Sequence, residues 1–576
     1  MLVNKWNDED AKKFVNGSGD DPADKELALR VYSSRIIGQD SNLVLHVKGS
    51  GWDLGAIEGA GMPGVRMAPL LELRQLNALS DEDMVNIQRS NLLDSTSPNP
   101  SVETLLHAFL PHKYVDHTHA TAMLSLANLP NVEEVVKEIF GGRLACVPHI
   151  MPDFELAKIA ARIYDENPDV EGLLLINHGH FAFGDSARQS YDRLIEHTNM
   201  VEDWLEKTSG LAPKIASGHS EQMSARAVDI LPMLRGIIGD ENAAITKSRD
   251  IAMPVMDLRN GENVQEFLAR DDLSSLSRRG VATPDHVIRT KNYPLYLSAD
   301  IIAKGHEVIK GEVKKYIADY TAYFEENNAC CGGVKTMLMP TPNLAWIEGV
   351  GVVGISSNGK VASVASDLAA QNITAITNGE ACGGFYPVGP QKLFNMEYWS
   401  LEQAKLGKAK PAPMQGRVVM VTGGAGAIGL ATAKEFARSG ANIFLIDLDD
   451  KALATALADL TGSHAGIALD ITAKGAADQA MDACVRQLAL ELGSKGIRVN
   501  GVNADRIRSG LLDEAFVSKR AKARGIDEET YMSGNLLGRE VKASHVAKAF
   551  VALALSERTS AHVMTVDGGN IEAVLR

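Results

Sequence analysis

Cysteine is scarce and unpatterned in this chain. Cys146, Cys330, Cys331, Cys382 and Cys484 are its five cysteines. An odd number without pattern excludes the disulfide framework of a small secreted domain and predicts reduced thiols in a cytoplasmic protein. Positive charge is also in deficit: 58 Lys and Arg stand against 73 Asp and Glu, a formal net charge of −15. That balance argues against nucleic acid or an anionic membrane as the main partner, although a local pocket can still be positive and take an anionic substrate. No apolar run reaches the roughly 18 residues that mark a membrane span, so none is expected. The first residues, MLVNKWNDED, hold no apolar signal core. Internal repeats and low-complexity tracts are lacking as well. What remains is ordinary globular composition, 45% hydrophobic and 23% charged. A chain of 576 residues exceeds the size at which single cores stop growing, about 250–300 residues, so several domains are expected.

Histidines carry the first chemical signal. In VDHTHA, His117 and His119 sit at i and i+2, a spacing that puts both imidazoles on one face of an extended strand. His178 ends the apolar run GLLLI, read as a buried strand, and Gly179 is expected to let the backbone turn away. Three imidazoles with an open fourth position describe a catalytic Zn²⁺-like site, or one for a similar divalent metal. His180 competes with His178 for the third place; the Gly after His178 favours the latter. The bland alternative, surface or satisfied core histidines, holds for any one of them more readily than for an HxH pair with a third strand-end His.

The segments NPSVETLLHAF, VDHTHATA and INHGHFAFG, in that order, resemble the class II aldolase/adducin-like family of zinc-dependent sugar-phosphate aldolases and related epimerases. The resemblance implies a carboxylate shortly before the HxH pair. Pro100, Ser101, Val102 and Glu103 occupy that place, which makes Glu103 the acid/base residue and Ser101 a phosphate contact. Val102 stands where a second Ser is often found. Glu103 also suits the start of a helix over TLLHAFL, where the dipole favours an acid. In such chemistry a metal stabilises the enediolate left by carbon–carbon cleavage, and a neighbouring carboxylate moves the proton. Lys48, Gly49, Ser50 and Gly51 in VKGSGWD resemble one wall of the phosphate pocket. The family's GGGNTS-type loop, expected after Leu43-Val44-Leu45-His46, is absent, and the run is roughly two dozen residues short.

The second signal is VVMVTGGAGAIG followed by IFLIDLDD. Residues 417–422 read as a buried strand, LATAKEFARSG as a helix and residues 443–446 as a second strand ending at Asp447. A Gly-rich run is weak alone, but in a strand–turn–helix–strand context with an acid 18 residues beyond Gly429 it is a strong dinucleotide signal. Asp447 would repel a 2′-phosphate, which favours NAD over NADP. This half resembles the short-chain dehydrogenase/reductase family. Its TGxxxGxG pattern maps onto residues 422–429, so that Thr422, Gly423, Gly424, Ala427 (in place of the middle Gly), Ile428 and Gly429 would hold the cofactor. Asp470 resembles the family's adenine-contacting acid. The family's NNAG segment, catalytic Ser and YxxxK pair are absent: Tyr531 is the only Tyr beyond residue 411, and Asn535 stands four later. A join near residues 482–486 would remove the fourth and fifth strands, leaving two half-sheets with exposed edges and no shared core. Either residues of the natural protein are not carried by this sequence, with discontinuities expected near residues 45–48 and 482–487, or the domain is degenerate. Similar cuts at both ligand loops favour the former.

The expected fold class is α/β: a class II aldolase-like domain at residues 1–330, a connecting α/β region at 331–410 and a C-terminal Rossmann domain at 411–576. A helix is expected near residues 23–33, a largely helical stretch over 211–330 with a loop at GVATPDHVIRTKNYP, and then alternation through VKTMLM, GVGVVGIS, a helix at VASVASDLAAQN and a strand at ITAIT. Nearly end to end, including HAFLPHKYVDHTHATA, ATPDHVIRTK, EYWSLEQAKLG and NADRIRSGLL, the chain resembles bifunctional rhamnulose-1-phosphate aldolase/lactaldehyde (alcohol) dehydrogenases. That resemblance implies a sugar phosphate and an aldehyde as small-molecule partners, a homo-oligomer in the cytoplasm, and Zn²⁺ and NAD as cofactors. An epimerase-type enzyme with a non-catalytic NAD-binding domain, and an adducin-like scaffold, are the alternatives.

Overall fold

The computed structural model describes residues 4, 33–37, 43–50, 52, 57, 59–210, 225–247, 253–403, 412–460, 464–469, 498–510, 512–560 and 562–570. They fall into two compact units, one within residues 1–234, 258–354 and 364–408, the other within 235–257, 355–363 and 409–576. The architecture is α/β, as expected. Gly51, Asp470 and the join near residues 482–487 lie outside the described residues, as does most of the helix expected near 23–33; Ser33 itself begins a strand.

The first unit opens on a seven-stranded sheet. Its strands are β1 (Ser33–Ile37), β2 (Val44–His46), β3 (Gly64–Arg66), β4 (Tyr114–Thr118), β5 (Leu144–Val147), β6 (Gly172–Leu175) and β7 (Gly179–Gly184), in the order β3-β2-β1-β4-β7-β6-β5. Only β5 and β6 pair in parallel. Period-two alternation splits the strands between two cores. Leu173, Leu175, Phe181 and Phe183 face one side with Leu45, Phe109 and Phe154. Leu174 faces the other with Met123, Val135, Phe140 and Val201. Beyond β2 the pairing with the segment around residues 61–63 continues. Val47 N–H donates to Pro63 O (3.3 Å) and Gly49 N–H to Gly61 O (2.7 Å), carrying the pairing past the strand's end.

A second sheet, β8 (Val255–Arg259), β9 (Leu295–Leu297), β10 (Leu344–Ile347) and β11 (Gly351–Ser356), has the order β8-β11-β10-β9. GVGVVGIS is thus a packed strand, as read. ITAIT is not a strand: it continues the helix Gly359–Ala381. Ala362, Ala365, Ala369, Ile373 and Ile376 are all buried, a three-and-four spacing that gives the β-branched residues a helical face to bury. VKTMLM forms no strand either; Val334 is exposed, and the strand is supplied by Leu344–Ile347 instead.

The C-terminal region holds β12 (Val418–Thr422), β13 (Asn442–Asp447) and β14 (Ala465–Ala468), paired in parallel in that order, and a separate parallel pair, β15 (Gly501–Ala504) and β16 (Val563–Val566). Two half-sheets are therefore present, and among the described residues β12 has one sheet neighbour. Val418 and Met420 on it are 58% and 64% exposed. The expectation of no shared core is overturned. The helices Ala427–Arg438 and Ala543–Leu555 pack together, so Val551 joins the core of Val421, Phe436 and Leu445. Ile428 and Phe550 meet Val502 and Val566 from the other pair. Helix-on-helix packing replaces the strand contacts that are missing.

Candidate functional site

The β4–β7 pairing builds the first site. Register places His117 opposite Phe181 and Thr118 opposite His180, so the ends of β4 and β7 lie side by side, with His119 one residue beyond β4 and His178 one residue before β7. The tight β6–β7 turn takes its left-handed residue at Asn177 (φ 58°), not at Gly179. Gly179 is needed for another reason: a Cβ there would lie 2.7 Å from His119 Cδ2 and 2.8 Å from His117 Cε1. The ligand-capable atoms of His117, His119 and His178 lie within 4.8 Å of one another. His180 is directed elsewhere: its Nε2 meets Nδ1 of His197 at 3.1 Å, in the buried interior.

Tautomers follow from the neighbours. His117 Nδ1 lies 3.1 Å from the carbonyl of His180, which only accepts, so Nδ1 carries the proton and Nε2 is a bare lone pair. That Nε2 faces His119 Nε2 at 3.0 Å, and the His117 ring is held flat against Phe181, centroids 4.1 Å apart. Burial drives His117 well below the ordinary imidazole value, with His119 adding to the effect. Burial also lowers His119 to about 3, with His178 adding. Both rings are neutral donors.

Glu103 precedes the helix Thr104–Phe109 but makes no side-chain cap bond; its carboxylate points at the histidines. Oε1 lies 3.3 Å from His178 Nε2 and Oε2 3.6 Å from His117 Nε2. Oε1 is buried without a hydrogen-bond partner. Burial raises the Glu103 carboxyl to about 7, with Asp285 adding, against the opposing pull of His178 and Lys48. Burial works against a charged His178, but hydrogen bonding to Asp285 and the Glu103 charge outweigh it and raise this ring. Three imidazoles, that of His117 with a bare Nε2, are thus gathered beside an unsatisfied carboxylate oxygen, a donor set that fits a divalent cation.

Sequence reasoning missed Asp285. It sits in the 3-10 turn Pro284–His286, with Oδ2 3.4 Å from His178 Nε2 and 3.8 Å from His119 Nε2. The only signal was its presence in ATPDHVIRTK, far along the chain from the histidines.

The phosphate-wall residues do reach this site. Gly49 bridges to Pro100, Ser50 N–H donates to Asn99 O (2.8 Å) and Ser101 N–H to Lys48 O (3.0 Å). Ser101 Oγ accepts from Glu103 N–H at 3.3 Å. Lys48, Gly49, Ser50 and Ser101 therefore lie beside Glu103. Gly49 admits no side chain, since a Cβ would meet Pro98 Cγ at 2.7 Å. Val102 packs against an apolar cluster that includes Val281, Val287 and Leu393, which explains an apolar residue where a Ser was looked for.

In the C-terminal region Thr422 ends β12, and Gly423 takes a left-handed φ of 63°. A Cβ on Gly429 would lie 2.0 Å from Gly423 O, so the turn closes only around glycine. Ala427 and Ile428 begin the helix Ala427–Arg438, and a Cβ on Gly424 would meet Leu445 Cδ2 at 2.8 Å. Asp447 ends β13; its Oδ2 accepts from Ala425 N–H (2.9 Å) and its Oδ1 from Leu448 N–H (2.8 Å). These bonds, that from Ala425 first, lower its carboxyl. A cavity of about 700 Å³ is lined by Met420, Thr422, Gly423, Gly426, Ile428 and Gly429, among others. Tyr531 is buried, with the Arg506 guanidinium 5.3 Å from its ring centroid, and is a packing residue.

Comparison with known proteins finds family matches in both regions. Residues 33–205 match the class II aldolase and adducin N-terminal domain, and 225–406 the class II aldolase second domain. Residues 417–489 match short chain dehydrogenase, and 473–570 enoyl-(acyl carrier protein) reductase. An uncharacterized oxidoreductase, YuxG, of Bacillus subtilis is 29% identical over 553 residues, 90% of this chain and 77% of the relative. D-threitol dehydrogenase of Mycolicibacterium smegmatis is 36% identical over 97 residues, 16% of this chain and 36% of that protein. The N-terminal class II aldolase domain of a Thermoplasma acidophilum protein is 29% identical, with a TM-score of 0.32, over 36% of this chain and 100% of that one. Class II aldolases typically depend on a metal, and short-chain dehydrogenases use nicotinamide cofactors. No helix among the described residues is long and apolar enough to cross a membrane. The chain is a bifunctional enzyme, with class II aldolase domains followed by a short-chain dehydrogenase domain.

Proposed function

We propose that the first unit performs Zn²⁺-dependent aldol cleavage of a sugar 1-phosphate, L-rhamnulose 1-phosphate to dihydroxyacetone phosphate and L-lactaldehyde, and that the C-terminal domain oxidises or reduces the aldehyde with NAD. The convergence of His117, His119 and His178 on Glu103, beside Lys48, Gly49, Ser50 and Ser101, carries this reading. A divalent cation held by the three imidazoles supplies Lewis-acid polarisation of the substrate oxygens. Glu103, whose carboxyl burial raises to about 7, gives or takes the proton at the carbon beside the carbonyl. Lys48 and the hydroxyls of Ser50 and Ser101 bind and orient the phosphate. Having both activities on one chain raises the local concentration of the aldehyde at the second site. The working form is proposed to be a cytoplasmic homo-oligomer.

Product analysis tests the reaction. Incubation with L-rhamnulose 1-phosphate should release a triose phosphate and an aldehyde in equal amounts. An isomeric pentulose or hexulose phosphate, with no triose, would replace the aldolase by an epimerase; no turnover of any sugar phosphate would leave a scaffold.

For the second domain, NAD is proposed to lie along residues 423–429, with Asp447 on the ribose hydroxyls. Asp447→Ala should weaken NAD roughly tenfold and NADP much less, because the carboxylate both bonds the ribose and repels a 2′-phosphate. Titration of each cofactor by intrinsic fluorescence checks this; equal losses for the two would remove Asp447 from the cofactor site. The catalytic Ser, Tyr and Lys are proposed to belong between Cys484 and Arg486 in the natural protein. Without them the domain would bind the dinucleotide but transfer no hydride.

A further inference from the structure

We propose that Asp285, contributed by the second aldolase domain, is a second acid/base of the cleavage: it takes the proton of the substrate hydroxyl, while Glu103 serves the carbon. The inference rests on the aldolase reading of this site.

The reaction asks for two proton transfers at different atoms. The bond between the hydroxyl-bearing carbon and the carbon beside the carbonyl breaks. The hydroxyl proton passes to the Asp285 carboxylate, and the O–H electron pair becomes the second bond of the new aldehyde carbonyl. The pair of the broken bond stays with the three-carbon fragment, whose carbon takes the proton of Glu103. Asp285 then gives its proton to water, and Glu103 regains one.

Geometry points to Asp285 for the first transfer. Among the described residues the ligand-capable cluster consists of His117, His119 and His178, which leaves a position for the substrate. Two carboxylates border it. Glu103 is the closer, 3.3 Å from His178 Nε2 and 3.6 Å from His117 Nε2. Asp285 Oδ2 is 3.4 Å from His178 Nε2 and 3.8 Å from His119 Nε2. They meet at His178 and reach the centre from the His117 and the His119 side. Exposure separates them: the Glu103 side chain keeps 14% of its surface and that of Asp285 36%. The more open carboxylate can meet a substrate hydroxyl and return its proton to solvent. A carboxylate placed only to orient a histidine would be expected on the far ring nitrogen; Asp285 approaches the nitrogens that also meet Glu103 and His117.

The turn that carries Asp285 is anchored to the histidine-bearing domain, which holds the carboxylate in place before substrate arrives. Asn128 Nδ2 donates to Ala282 O (2.8 Å), and Ala282 N–H donates to Asn372 Oδ1 (2.7 Å). Gln371, the neighbour of Asn372 on the helix Gly359–Ala381, donates to His119 O (2.8 Å). One helix therefore fixes both the backbone before Asp285 and the backbone of a histidine of the cluster.

The experiment uses the zinc-loaded full chain and separates the two transfers. Deuterium exchange into dihydroxyacetone phosphate in D₂O, with no aldehyde present, reads the transfer at carbon alone. Triose phosphate release from L-rhamnulose 1-phosphate reads both. Asp285→Asn should keep wild-type zinc by mass spectrometry and keep the exchange, while cleavage falls by about 10²–10⁴-fold. Glu103→Gln should lose exchange and cleavage together. Asp285→Ala should show the same split as Asp285→Asn, and it decides alone if circular dichroism shows the Asn variant unfolded. Cleavage at the wild-type rate in a folded Asp285 variant overturns the proposal and leaves both protons to Glu103. Equal loss of exchange and cleavage, or loss of zinc, overturns it in favour of a structural or ligand role. The aldolase reading fails separately, and takes this proposal with it, if the wild type neither exchanges nor cleaves or if His119→Ala keeps its zinc.

Discussion

His119→Ala should leave the protein with almost no bound zinc and with sugar-phosphate cleavage reduced by roughly a thousandfold or more. The lost Lewis acid is worth several kcal/mol of transition-state stabilisation, and each 1.36 kcal/mol is about tenfold in rate. His119 is a clean choice. Its ring lies past the end of β4, so no strand core is hollowed by truncation, and its backbone carbonyl still accepts from Gln371. Metal content by mass spectrometry and triose release are the two readouts. Full zinc occupancy in the variant would overturn the assignment of the three histidines. Zinc lost with cleavage retained would remove the metal from the reaction.

Glu103→Gln should separate binding from chemistry. The amide keeps the shape and much of the polarity of the carboxyl but cannot carry the proton, so zinc should remain while turnover falls by about 10²–10⁴-fold. The helix Thr104–Phe109 should not suffer, because the Glu103 side chain makes no cap bond there. A variant that cleaves at the normal rate would make Glu103 a helix-start acid whose position beside the histidines has no catalytic use. Loss of zinc together with turnover would move it from proton carrier to metal ligand.

The residues that were legible in sequence are those whose chemistry is local. HxH on a strand puts two imidazoles on one side by backbone geometry alone, and the third histidine announces itself at the end of a buried run. The Gly-rich turn is equally local: Gly423 needs its left-handed φ and Gly429 its missing Cβ within the span of a single loop. Asp285 was not legible because nothing near it in sequence requires a carboxylate; its place beside the histidines comes from Asn128 and from the adjacent Gln371 and Asn372, all far from it along the chain. ITAIT misled because β-branched composition resembles a strand, while the deciding fact, a helical row of buried positions from Ala362 to Ile376, shows only over a longer window. The role of Gly179 was misplaced for the same kind of reason. The turn took its strain one step earlier, at Asn177, and the glycine was needed by rings on another strand.

The open side of β12 bears on how the protein behaves as a colloid. Among the described residues β12 pairs on one edge only, with β13, and its other edge, beside the exposed Val418 and Met420, offers main-chain donors and acceptors to another extended chain. What opposes such encounters is long-range repulsion between molecules that each carry a net charge of −15. Repulsion of that kind reaches only about a Debye length, roughly 10 Å at 0.1 M salt and about 3 Å at 1 M. Ionic strength therefore sets the balance between a dispersed solution and stacked edges, and dilute buffer is the medium in which the strand is best kept to itself.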